Sequence, residues 1–123
     1  MDNLPRFFFS LQLNIKMYHW QTTSYARHKA TDQLLSSIDG LIDKFIEIYQ
    51  GKFGKFPQGL TTVNVRTLTD ENTASNFLQQ CINFLNNIIE EDNNLTINDT
   101  DLLNIRDEMV GLINQTLYLF SFN

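Results

Sequence analysis

Three stretches of this chain set apolar side chains at three- and four-residue intervals, and that period commits most of its length to helix. Leu34, Leu35, Ile38, Leu41, Ile42, Phe45, Ile46 and Tyr49 fall on one stripe, which predicts a helix over about 24–50 ended by Gly51. Phe77, Leu78, Cys81, Ile82, Leu85, Ile88 and Ile89 repeat the pattern behind Asp70 and Glu71, predicting a helix over about 71–92. Leu102, Leu103, Ile105, Met109, Leu112, Ile113, Leu117 and Phe120 do so again behind the capping-prone run Asn98 to Asp101, and predict a last helix reaching nearly to Asn123. The first segment is ambiguous, because Phe9 to Met17 alternates apolar and polar as a half-buried strand does. Phe8, Leu11, Ile15 and Tyr18 also fit helical spacing, Pro5 suits a first turn, and a lone strand would have no partner among three helices. The reading is all-α, with four helices.

At 123 residues the chain is one domain, spanning 1–123. Helices one and two are joined by a few residues around Gln21 to Thr23, and helices three and four by an Asn- and Asp-rich stretch from Asn93, so each pair is an antiparallel hairpin. The middle connection, from Gly51 to about Thr69, contains Gly54, Pro57 and Gly59. Its ~19 residues at ~3.3 Å each can cross the ~39 Å length of a 26-residue helix. Two antiparallel helical hairpins joined by one long crossover make a ferritin-like four-helix bundle. A short helix or an extended run at Thr62 to Arg66 is expected inside so long a connection.

Lys plus Arg number 9 against 14 Asp plus Glu, a formal charge of -5 that repels phosphate, and no terminal cluster of lysines offsets it. Strong nucleic-acid binding is not expected. No apolar run suits a signal peptide or a bilayer span, so a cytoplasmic protein without a membrane partner is expected. With a single cysteine, Cys81, and two histidines, any metal site must lean on carboxylates. No Glu-x-x-His pair is present, which excludes the ordinary di-iron site within one ferritin subunit. Gly51-Lys52-Phe53-Gly54-Lys55-Phe56 lacks the Gly-Lys-Ser/Thr ending of a phosphate loop and reads as crossover structure.

His19 closes the first helix, His28 opens the second, and Asp32, Asp39, Asp43 and Glu47 continue along it. At ~100° per residue from Asp43, Asp32, Asp39, Glu47 and His28 lie at roughly -20°, -40°, +40° and -60°, one ionisable stripe flanking the apolar face. These residues also read as ordinary solvated charges beside two histidines at a turn. His28 and Asp43 are 15 residues apart, ~22 Å along one helix, so they cannot share an ion within a chain. A joint site must be built between two chains. In a two-fold dimer with antiparallel second helices, the histidine end of one meets the carboxylate end of the other, twice. Imidazole and oxygen donors without thiolate suit a hard or borderline ion such as Fe²⁺.

His19-Trp20, then His28 with Asp32 four on, then Asp43 and Glu47 four apart, resembles the ferroxidase motif of the Dps-type mini-ferritins. The likeness covers about residues 8–51 by motif and the rest by architecture. It implies that His19 and His28 of one subunit and Asp43 and Glu47 of its two-fold neighbour are iron ligands, with Asp32 a second ligand or hydrogen-bond acceptor and Lys16 a polar neighbour. Trp20 would act beside the iron, where an oxidisable ring intercepts radicals; the alternative is a packing anchor at the hairpin. The activity implied is oxidation of Fe²⁺ to Fe³⁺ by peroxide or oxygen, for iron detoxification or oxidative protection. The stretch Gln21 to Arg27 is about three residues shorter than in that family and lacks its glycine-containing turn, which leaves the placement of His28 for the fold to decide. The lysine-rich tail of DNA-binding members is missing, and the loops and C-terminus differ, so the homo-oligomer expected is at least a two-fold dimer, with a closed cage left open. His-Trp-Gln-Thr followed by Ser-Tyr-Ala-Arg-His-Lys-Ala-Thr-Asp is also similar to a group of ferritin-like proteins of large DNA viruses, which implies host cytoplasm or virion as the setting. The competing expectation is a metal-free helical bundle serving as a structural or virion protein.

Overall fold

The computed structural model describes residues 3–59, 62–68 and 70–122. They form five helices: α1 (Asn3–Gln21), α2 (Tyr25–Phe53), α3 (Glu71–Asn86), α4 (Ile88–Glu91) and α5 (Thr100–Leu119). No strand occurs among the described residues. The segment that alternates like a strand is helical, because its buried set is Leu4, Phe8, Leu11, Ile15 and Tyr18, at steps of four, three, four and three. Phe9 and Leu13, which complete the alternation, face outward.

Local chemistry sets the boundaries, and it moves some of those expected. The Ser24 side chain accepts a hydrogen bond from the Arg27 amide and starts α2. That helix runs past Gly51 and stops at Gly54, whose φ of 99° is open to glycine at little cost and whose amide closes on Gln50 O. Asp70 caps α3 by accepting from the Thr73 amide at 2.7 Å, a bond that holds its carboxyl below the usual value. The expected single helix over 71–92 is broken at Asn87, whose side chain donates to Asn83 O at 2.8 Å and competes with the backbone ladder. The last helix ends at Leu119, close to the chain end as expected, while Asn123 and Thr69, at the end of the crossover, lie outside the described residues.

α2 packs most extensively on α5 and then on α1, while α3 packs on α5 and α1. Contacts at the ends give the directions. Arg27, early in α2, reaches Phe120 O just after α5, whereas Lys52, late in α2, pairs with Asp99 at 2.7 Å and Asp101 at 2.9 Å at the start of α5. α2 and α5 are therefore antiparallel. Phe8 against Phe45 and Tyr18 against Arg27 make α1 and α2 antiparallel, and Arg27 also meets Glu71 O at the start of α3. Thus α2 and α3 run the same way, and the chain between them must return along the whole bundle.

A buried amide ties down that return. Asn14 of α1 donates to Ser10 O and to Asn64 O, while its Oδ1 accepts from the Arg66 amide at 2.7 Å. The stretch 62–66 forms neither helix nor strand. The side chain of Asn14 supplies partners that a neighbouring strand would otherwise provide. At the opposite end, the Tyr49 hydroxyl donates to the buried Asp92 carboxylate at 2.8 Å and accepts from Asn94, fixing the turn before α5. Burial, more than the Asp92 charge, pushes the Tyr49 hydroxyl up to about 12. Phe56 of the crossover stacks on the Tyr49 ring at 5.0 Å.

Candidate metal centre

The short turn at 22–24 brings the two histidines together. The ring of His19 stacks on that of His28 with centroids 4.1 Å apart and planes 14° from parallel. His19 Nδ1 lies 2.9 Å from His28 O, and His28 Nδ1 lies 2.9 Å from His19 O. A carbonyl oxygen only accepts, so each Nδ1 carries the proton it donates across the pair. In the neutral ring the lone pair is then on Nε2, the tautomer and orientation that backbone carbonyls impose on metal-ligating histidines. The exchange also serves the backbone, because His19 O lies in the last turn of α1, where carbonyls lack helical partners.

Two residues that the sequence reading passed over hold this pair in position. Thr31, buried one turn beyond His28, has its hydroxyl 3.0 Å from His19 Nδ1 and donates to Arg27 O at 2.8 Å. The Arg27 guanidinium is buried too, donating to Tyr18 Oη at 3.0 Å and to Glu71 O at 3.1 Å, with Phe120's ring centre 4.3 Å away. It joins the hairpin turn to the start of α3 and the end of α5. Both residues fall on the apolar side of α2, in step with Leu34 and Ile38, and a polar side chain at a core position was the available signal.

Trp20 follows His19 and is 65% exposed, with the Lys16 ammonium 5.9 Å from its ring centre. It packs no core within its own chain, contrary to the packing-anchor alternative. Asp32 is exposed, one turn along from His28. Asp43 and Glu47 are exposed at four-residue spacing near the other end of α2, far from the histidines on one unbroken helix. There they edge a groove of about 470 Å³ walled by Phe8, Phe9, Ile42, Ile46, Phe56 and Pro57. Asp39, between the two groups, accepts from Gln12 Nε2 at 2.9 Å.

One chain therefore carries two separate groups: a pair of stacked imidazoles, His19 buried and His28 exposed, at one end, and a pair of exposed carboxylates beside an apolar groove at the other. Among the described residues no three His, Cys, Asp or Glu side chains group closely enough to hold a metal ion. Burial pushes the Cys81 thiol up to about 12, which withdraws it from metal binding and nucleophilic chemistry. Among the described residues no helix is long and apolar enough to cross a membrane.

Comparison with known proteins gives a relative of equally plain description. The chain is 31% identical over 104 residues to the "Uncharacterized 14.6 kDa protein in mobD-ri intergenic region" of Enterobacteria phage T4, an alignment covering 84% of this chain and 73% of the phage protein. No solved structure matches it. Residues 19–120, from the first of the stacked histidines to the last buried aromatic of the core, match one family along their whole length, and the chain belongs to that family of unknown function, DUF5856.

Proposed function

We propose that this protein binds ferrous iron at sites shared between two copies of the chain and oxidises it with peroxide or oxygen, in the manner of the Dps-type mini-ferritins. The observation that carries the reading is the reciprocal histidine pair, in which both Nδ1 protons are committed to backbone carbonyls and both Nε2 lone pairs are left for a ligand. An isolated imidazole pair is half of a ligand set, and Asp43 with Glu47 is a second half that the rigid length of α2 keeps ~22 Å away in the same chain. Antiparallel apposition of two α2 helices brings the halves together. The course of the chain, two hairpins linked by a connection that returns along the bundle, supports a ferritin-like arrangement.

Iron is the substrate here. Each ferrous ion gives up one electron, a peroxide accepts two together with two protons, and its oxygen–oxygen bond breaks to leave water. Asp43 and Glu47 favour the product by stabilising the higher charge of Fe³⁺, and Trp20 lies where a stray one-electron oxidant would meet an indole first. A phage relative supports a viral or host-cytoplasmic setting. The second reading is a metal-free structural bundle. Anaerobic Fe²⁺ titration followed by peroxide separates the two. Saturable binding of one or two irons per interface, lost in Asp43→Asn with Glu47→Gln while helicity is kept, supports the first, and no binding at micromolar iron supports the second.

A further inference from the structure

The outer face of the α1–α2 hairpin carries an aromatic end and a concave end. Trp20 is 65% and Tyr25 75% exposed beside the turn, while the apolar groove with Asp43 and Glu47 on its rim opens at the far end. Charge follows the same division except at Asp32. Lys16, His28 and Lys29 are exposed around the aromatic end together with Asp32, and Asp39, Asp43 and Glu47 around the groove. Two copies related by a two-fold axis across α2 set unlike ends together on both sides.

The register is fixed by the shared-site reading, on which this inference rests. Pairing His28 with the partner's Asp43 centres the axis between Leu35 and Ser36. Tyr25 then lies opposite the partner's Ile46. Trp20 is level with the first turn of α2, because the neighbouring His19 stacks on His28. The same register therefore brings its indole over the partner's Ile42 to Glu47, the α2 wall of the groove. A cavity of about 470 Å³ has room for an indole, and its lining is mostly apolar, with Asp43 and Glu47 on the rim.

We propose that Trp20 is the anchor by which one copy of this chain docks on another, the indole of each protomer occupying its partner's groove while Lys16, one turn back along α1, lies level with the partner's Asp39. Large aromatic side chains that fill a pocket at the middle of an interface carry a disproportionate share of its affinity. The face is otherwise an exposed apolar stripe, Phe9, Leu13 and Trp20, of a kind that marks interaction sites.

The chain has one tryptophan, so its fluorescence reads this contact alone. In chelator-treated buffer, emission should be that of a buried indole at high concentration and shift to that of an exposed one on dilution, in step with the halving of mass by light scattering. Trp20→Ala should weaken the dimer by about thirtyfold. Phe9→Asp, at an exposed position of the groove wall, should do likewise with helicity intact by circular dichroism, and should leave Trp20 emission exposed at every concentration. A dimer whose Trp20 emission stays that of exposed indole, a Trp20→Ala dimer of unchanged affinity, or a monomer at all concentrations overturns the proposal. Iron bound by a dimer with exposed Trp20 refutes the anchor and leaves the shared site standing; an anchored dimer that takes no iron does the reverse.

Discussion

The ligand candidates were legible residue by residue because they are ionisable groups on one stripe of a helix, and helical periodicity needs no tertiary information. Their supports were not. Thr31, Arg27 and Asn14 sit at core positions, where a polar group is stable only with partners that come from distant parts of the chain. The site makes Thr31 a positioning residue: its hydroxyl meets His19 Nδ1, so Thr31→Val should weaken metal binding by about ten- to a hundredfold. Isothermal titration with a redox-inert divalent ion checks this, with imidazole NMR showing an altered His19 ring environment while the bond to His28 O keeps the proton on Nδ1. Tyr49 makes a second residue-level case. Its hydroxyl, raised to about 12 from 10.0, binds its proton more tightly in the folded chain. Its contribution to stability is whole below the ordinary value of 10.0 and drains away as the pH rises through its folded value. Titration by phenolate absorbance should show a step near pH 12 that is lost in Tyr49→Phe, and that substitution should flatten the alkaline loss of stability.

At the scale of elements, the four long helices followed from apolar spacing, and the ends that moved did so for local reasons. Gly51 has no special backbone requirement and is carried inside α2, whereas Gly54, at φ 99°, is where the helix closes. Asn87 interrupts α3 because its side chain finds a backbone partner one turn back. The crossover was visible as a long Gly- and Pro-containing stretch, but its docking on Asn14 was not, since a single amide inside a helical pattern carries no sign of what it faces. Asn14→Leu fits the pattern of α1 and strands the Arg66 amide and Asn64 carbonyl. A loss of about 1–3 kcal/mol in chemical unfolding is expected, together with faster hydrogen exchange at Arg66. Exchange there at the parent rate would show that the clamp does not hold the crossover.

At the scale of the molecule, the length of α2 decides what one chain can do. On the proposed function, a helix that keeps the imidazole pair and the carboxylate pair apart makes iron chemistry a property of two copies together, because the two groups lie on one unbroken helix. That inference needed only residue spacing, whereas the ring stacking that prepares the imidazoles depended on a turn whose shortness gave no warning of the outcome. The direct test of a shared site is complementation. One protein carries His19→Ala with His28→Ala, the other Asp43→Asn with Glu47→Gln, and each alone should bind no iron beyond background. Mixed in equal amounts under conditions that exchange subunits, half of the dimers are hybrids, and each hybrid holds one intact site and one empty of ligands. Iron binding should therefore return to about a quarter of the parent's sites. A mixture that exchanges subunits, by a mass-tagged control, and still recovers no iron binding would contradict the account.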